Sequence, residues 1–422
     1  MTALAQLRIA RLAATPPVHR AFHWLHLHQL QLRRWQLEML AIPAPPFGEQ
    51  ARAAWFLERF EQLGLCNPHL DDVGNALAEF PSAPGPEPRP SPVLLVSAHL
   101  DTIFPAEVSI APSETDTRIN APGACDNAAG LSALLGIAAA LRHAGITPAV
   151  PILFAANVGE EGEGDLRGMR HLFTDSPYAS RIAAAIALEG GGNSAVVTRA
   201  LASRRFRVTV SGPGGHSWID AGAVNPILVL ARALLALESL NLSLGEPRTT
   251  LNVGQITGGT AINSIPESAT ALLDLRSTDQ LQLQETETAL RQTIEHWVLD
   301  APIQTARAIH PSKTSPPVRN LALSIETIGD RPGGTLPDNS PLLTTLRAVD
   351  RHLNLRTEPG LGSTDANIPL SLGIPAIAVG TGGLSGGIHT LQEWYDPTGR
   401  NAALRRIVLT LLDTANLAAQ IP

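Results

Sequence analysis

For most of its length the chain alternates between short, continuous apolar runs and amphipathic stretches of helical period. VLLVSAHLD (93–101), VPILFAANV (150–158) and AAAIALEG (183–190) are almost wholly apolar and bounded by turn residues. That is the pattern of parallel strands covered on both faces. Helical spacing occupies residues 20–42, closed by Pro43, Pro45 and Pro46, then residues 50–63, closed by Gly64, and 131–145, closed by a glycine. Strands alternating with helices predict an α/β layer. PSAPGPEPRPSP (81–92) reads as a surface loop leading into the first of these strands.

Near Ser203 the period changes. RRFRVTVSG alternates by two, the mark of a strand with one covered face. A helix over 224–242, strands at 249–258 and 268–277, a helix over 280–298 and a strand near 321–329 follow. This order, β-α-β-β-α-β, is that of a split βαβ sandwich. Residues 301–319, rich in proline, read as a loop within it. After Pro332 the α/β texture returns, with a helix near 341–354 and a strand in GIPAIAVG (373–380). The expectation is one α/β domain built from 1–203 and 333–422, interrupted by an inserted domain, 204–332. There are no internal repeats.

Composition narrows the class of function. A net charge of -7 leaves no basic surplus for nucleic acid. The two cysteines, Cys66 and Cys125, belong to no disulfide framework, which points to a reducing, cytoplasmic setting. Arg8 and Arg11 interrupt the first residues, so no signal-peptide core is read there, and Arg33-Arg34 lies too far in for an export signal. The most apolar stretch, 227–242, contains Arg232 and Glu238 and is too short to span a bilayer, so no membrane partner is expected.

Chemistry-bearing residues gather where strands end. His99 and Asp101 close the first strand, and Asp126 sits in the Gly-flanked loop APGACDNAAG before a helix. Glu160 and Glu161 follow the second strand, Glu189 the third, and His389 the run AIAVGTGGLSGGI. In open α/β sheets ligand sites form outside the carboxyl ends of the strands. A lone residue of this kind would be a solvated cap or a structural histidine; agreement among five segments favours a metal centre. Two histidines with several carboxylates and no cysteine form a nitrogen and oxygen donor set suited to zinc. His19, His23 and His26 also share a helical face, but they lack companion carboxylates and read as a partly exposed surface behind Trp24 and Leu25. Cys125 reads as a buried structural thiol.

The ordered elements SAHLDTIFP, GACDNAAG, NVGEEGEGDLRG, ALEGGG, SGPGGHSW and GGIHTLQEW resemble a dinuclear-zinc metallopeptidase family. It is the family of glutamate carboxypeptidase, acetylornithine deacetylase, succinyl-diaminopimelate desuccinylase, aminoacylase and bacterial tripeptidase. The resemblance implies a zinc-exopeptidase-like three-layer catalytic domain, with the inserted domain acting as lid and dimerisation domain of a homodimer. It implies two zinc ions, with cobalt or manganese as alternatives. Asp126 would bridge the metals, His99 and Glu189 would complete one shell, and Glu161 and His389 the other. Asp101 would orient His99, and Glu160 would be the general base. A cis peptide bond would follow Asp126. His216 would reach a partner's active site and hold the substrate carbonyl, and Arg276, with Asn263, would bind the substrate's carboxylate end. The implied substrate is a small peptide or an N-acyl amino acid, cleaved at a terminal amide. Glu189, rather than Asp, resembles the carboxypeptidase and deacylase branches. A tripeptide-type aminopeptidase is the alternative, and a non-catalytic metal-binding protein on the same scaffold a distant one. The chain departs from many relatives at Ala128-Ala129, where a lysine is common, and at GSTDAN (362–367), which carries an extra threonine.

Overall fold

The computed structural model describes residues 2–82, 91–108, 110–192, 194–240, 242–300 and 321–420. The chain divides into two compact units. One comprises the residues up to Ala200 and those from Gly334 onward; the other is Leu201–Gly333.

Among the described residues, nine strands of the first unit form one mixed sheet. In chain order they are β1 (Cys66–Leu70), β2 (Ala76–Phe80), β3 (Val93–His99), β4 (Ile152–Asn157) and β5 (Ile182–Leu188), then β6 (Ala195–Ala200), β7 (Gly334–Thr335), β8 (Glu358–Gly362) and β9 (Ala376–Val379). Across the sheet the order is β1-β2-β4-β3-β5-β9-β6-β7, with β8 pairing β6. The central neighbours β4, β3, β5 and β9 run parallel. Every residue of β3, β4 and β9 is buried, which accounts for their unbroken apolar character.

The helix Ala128–Ala144 lies between this sheet and the helices Pro16–Leu27 and Gln29–Leu40. Residues on all sides of it are therefore buried, and it ends at Gly145 in the left-handed conformation (φ 62°). The helix expected over 20–42 is two helices, preceded by a third at Thr2–Ala13. The break falls at His28, where φ is -102° and ψ 26°. There the ring stacks on Trp24 at 4.2 Å, and Nδ1 lies 2.8 Å from the Trp24 carbonyl oxygen. A local side-chain bond to the backbone competes with the helix at that point, and apolar spacing does not register it. The peptide bond Asp126–Asn127 is cis.

The second unit has one four-stranded antiparallel sheet in the order Thr249–Gly258, Ser268–Ser277, Ala202–Ser211, Ala322–Arg331. The helices Pro226–Ala236 and Gln280–Glu295 pack on the face bearing Phe206, Val208, Val210, Leu273 and Leu275. Alternation by two places Arg205, Arg207, Asp274 and Arg276 on the other face, where each is partly exposed. The strand begins at Ala202 and the unit at Leu201, a little before the boundary expected between 203 and 204. The proline-rich segment 301–319, and residues 83–90 of the earlier loop, lie outside the described residues.

Candidate metal centre

The carboxyl ends of the four parallel strands and the loops beyond them converge. His99 ends β3, and its Nε2 lies 3.1 Å from Asp126 Oδ1 and 3.4 Å from Glu189 Oε1. His389 Nε2 lies 2.9 Å from Asp126 Oδ2 and 2.9 Å from Glu161 Oε1. The two oxygens of Asp126 thus face different histidines. Three ligand triads result: His99, Asp126 and Glu189; Asp126, Glu161 and His389; and His99, Glu160 and Glu161, with donor atoms in each within 4.8 Å of one another.

The loops carrying these side chains are held through their backbones by buried side chains. Four consecutive N–H groups donate in this way: Val158 to Asn75 Oδ1 (2.9 Å), Gly159 to Glu49 Oε1 (3.1 Å), and Glu160 and Glu161 to the two oxygens of Asp101 (3.0 and 2.7 Å). Arg167 holds the other Glu49 oxygen at 2.6 Å. A Cβ at Gly159, where φ is +65°, would lie 2.7 Å from the Arg167 side chain, so this turn requires glycine. Asn127 Oδ1 accepts the N–H groups of Gly130 and Gly190, and its Nδ2 donates to the Leu188 carbonyl. Glu393 accepts three N–H groups, from Gly123, Cys125 and Asp126.

Asp101 therefore has two tasks. Its carboxylate fixes the Glu160–Glu161 turn, and it lies 3.6 Å from His99 Nδ1. The nearer acceptor for that ring nitrogen is the Asp101 backbone oxygen, at 3.0 Å. Either contact leaves Nε2 turned toward Asp126 and Glu189.

The electrostatics describe carboxylates and imidazoles crowded into competition for protons. In the metal-free protein the hydrogen bond to Asp126 pushes the His389 pKa up to about 9. His99 also lies well above the usual value: burial opposes its charge, but the Glu189 carboxylate together with Asp101 and Asp126 outweighs burial. Asp126 is held low because hydrogen bonds from His389 and His99 overcome burial. Burial pushes Glu161 and Glu189 up, and the Asp126 charge pushes the same way. One buried carboxylate oxygen, Glu189 Oε2, lacks a hydrogen-bond partner, a costly condition that a cation relieves. The donors fit a pair of divalent ions: imidazole nitrogens and carboxylate oxygens, with one carboxylate shared.

The sequence profile of peptidase family M20/M25/M40 matches residues 95–415. The chain belongs to this family. A probable carboxypeptidase of Aspergillus clavatus is 30% identical over 250 residues, covering 54% of this chain and 54% of that protein. One of Ajellomyces dermatitidis is 32% identical over 212 residues, covering 46% and 48%. The match thus spans about half the length of these curated relatives. Among solved structures, a tripeptidase from Staphylococcus aureus superposes with a TM-score of 0.69 at 22% identity, covering 91% of this chain and 98% of that one. A dinuclear metal-binding M20 peptidase of Bacillus subtilis superposes with a TM-score of 0.62 at 14% identity, covering 92% and 98%. These likenesses establish the family fold.

Three further residues singled out from the M20-like motifs lie in the second unit. His216 and Asn263 are neighbours: Gly215–His216 pairs with Ser264–Ile265, and Ser217 N–H donates to the Asn263 carbonyl. His216 Nδ1 faces the N–H groups of Trp218 and Ile219 at 3.2 and 3.3 Å. As their acceptor it leaves the proton of the neutral ring on Nε2. Arg276 lies on the uncovered sheet face, with Nε donating to Asp274 at 2.6 Å.

Other expectations concern bystanders. His19, His23 and His26 are exposed and join no metal-ligand group among the described residues. Cys125 is fully buried, and burial pushes its thiol up to about 12, so it is inert at neutral pH. Asp365, in the variant motif GSTDAN, accepts from the Asn157 amide, and burial pushes it up to about 7. The supports Glu49, Asn127 and Glu393 were not singled out from sequence. Asn127 and Glu393 stand inside the motifs GACDNAAG and GGIHTLQEW and Glu49 in none, and nothing local tells a backbone acceptor from a surface side chain.

Proposed function

We propose that the protein is a metal-dependent hydrolase that cleaves a terminal amide of a small peptide or N-acyl amino acid, acting as a carboxypeptidase or deacylase with two zinc ions. The sharing of Asp126 between two ligand triads, with Glu160 grouped with one member of each, His99 and Glu161, is the observation that carries this reading. When bound, the two cations acidify a water and stabilise oxyanion charge. His99 and Glu189 hold one of them, Glu161 and His389 the other. Glu160 takes the proton from the attacking water and delivers it to the leaving amine. Asp101, through the amides of Glu160 and Glu161, keeps base and ligand pointing apart.

The second unit supplies substrate contacts in this reading. Arg276, fixed by Asp274 through Nε, offers both Nη groups to a free carboxylate. Asn263 lies beside His216 to contact the same end of the substrate. His216, protonated on Nε2, donates to the scissile carbonyl of a partner's site. The strand Thr249–Gly258 is exposed from Asn252 onward, and Trp218, Ile219 and Ile262 around His216 are exposed apolar side chains. A second copy of the chain would cover them, giving a homodimer. Among the described residues no helix is long and apolar enough to cross a membrane; a cytoplasmic location suits the free cysteines.

A panel of dipeptides and N-acyl amino acids, each with a free or amidated C-terminus, tests the reading in the presence of zinc, cobalt or manganese. N-blocked substrates with a free carboxylate should be cleaved and their amides spared. A requirement for a free amine would instead establish a tripeptide-type aminopeptidase. Metal uptake without hydrolysis of any member would establish a binding protein.

A further inference from the structure

Glu393 stands four residues after His389 and is 1% exposed. Its Oε1 accepts the N–H groups of Cys125 (2.8 Å) and Asp126 (2.9 Å), and its Oε2 accepts Gly123 (2.9 Å). Its own carbonyl accepts the N–H of Ala121 at 3.0 Å. Both its main chain and its side chain therefore grip the segment 121–126. The stretch back to His389 is a tight turn: Glu393 N–H donates to the Thr390 carbonyl and Thr390 N–H to Gly387. His389 itself is left-handed, with φ 64°. No arginine, lysine or histidine pairs with Glu393 among the described residues, so a buried charge is balanced chiefly by three peptide dipoles. A glutamine could not replace it: three converging donors need an acceptor-only group, and the amide NH2 would face one of them.

We propose that Glu393 is a positioning residue for the metal held by Asp126, Glu161 and His389, because it ties two of those three ligands to each other across the fold. The inference rests on the metal-dependent reading above. When Asp126 shifts, the strap carries the shift to His389, so the two approach one cation as a unit. The other triad, His99, Asp126 and Glu189, shares only Asp126 with the strap and depends on it less.

Cobalt(II) serves as the probe, since its visible spectrum reports ligand geometry. Metal-free wild type, Glu393→Gln and Glu393→Asp are titrated with cobalt by calorimetry and visible absorption, and their metal-free melting is recorded. Wild type should take up two equivalents. Glu393→Gln should keep one near wild-type affinity while the second weakens about 10- to 100-fold with an altered spectrum. Glu393→Asp keeps the acceptors but draws them back by one methylene, and should fall between; it decides the matter alone if the glutamine variant does not fold. Two equivalents bound with wild-type affinity and spectrum in both variants would overturn the proposal. Equal weakening of both sites in step with lowered melting would also overturn it, leaving a purely structural role. A wild-type protein that takes up no cobalt would sink the metal reading and this inference together.

Discussion

The two units hold their singled-out residues in opposite ways. In the first, His99, Glu160 and Glu161 are buried, Asp126 and Glu189 half-buried and His389 exposed, and the backbone of these loops is fixed by Asn75, Glu49, Asp101, Asn127 and Glu393. In the second, His216 and Asn263 are exposed, and Arg276 leans on Asp274 at an uncovered sheet face. The first cluster is pre-organised: its crowded charged side chains stand on backbone that buried groups hold by several hydrogen bonds. The second waits for something from outside, whether substrate or another copy of the chain. Under the proposed reading chemistry and recognition are divided between the units, and each should fail in its own way.

The largest expected effect comes from removing metal. A chelator should abolish hydrolysis, and zinc or cobalt should restore it. His389 in the metal-free fold has its pKa raised to about 9, and its proton must leave before metal binds. Apparent metal affinity should therefore rise with pH and level off above about 9, which calorimetry across pH would show. Affinity independent of pH would mean that His389 is not a ligand. Next, Glu160→Gln should keep both metals and lower kcat by about 10²- to 10⁴-fold. A variant retaining a large share of the wild-type rate would remove Glu160 from the role of base.

The second unit should respond through substrate and assembly. His216→Ala should lower kcat by about 10²- to 10³-fold, as the loss of one oxyanion donor does, with metal content unchanged. Mixing Glu160→Gln and His216→Ala chains should recover activity, since one hybrid site then has both a base and a partner histidine. Continued inactivity after demonstrated subunit exchange would break the cross-subunit reading. Arg276→Lys should raise KM about tenfold with kcat nearly unchanged, because a point charge replaces a bidentate fork. A fall in kcat alone would place Arg276 elsewhere in the mechanism.

What the sequence disclosed follows the same division. The central strands were legible because burial on both faces leaves an unbroken apolar record, and the inserted sheet because one covered face leaves alternation. The gathering of these histidines and carboxylates was legible because they follow strand ends in short motifs. The braces were not: Glu393 meets Cys125 across 268 residues of chain and Glu49 meets Gly159 across 110. No local pattern encodes such a pairing. Strands β1 and β8 left no clear mark for a related reason, since Cys66–Leu70 and Glu358–Gly362 are largely exposed, with neither an apolar run nor clean alternation.

The smallest effect is expected where the same residue type does the same local job in each unit. Asn225 caps the helix Pro226–Ala236 by accepting from Ile227 and Leu228. Asn127 caps Ala128–Ala144 by accepting from Gly130. Asn225→Ala removes a cap at a partly exposed helix end, which costs about 1 kcal/mol. Its denaturant midpoint should fall at unchanged slope, with metal content and kcat as in wild type. Asn127 has two further bonds, to Gly190 N–H and the Leu188 carbonyl, on the strand end that delivers Glu189. Asn127→Ala leaves those buried groups without partners, at about 1–3 kcal/mol each, and frees the backbone on both sides of the Asp126 and Glu189 pair. Its midpoint should fall further, and metal affinity should fall with it. If the two variants lose equal stability and neither loses metal, Asn127 is only a helix cap, and the bracing of the metal loops by buried side chains is weaker than their geometry suggests.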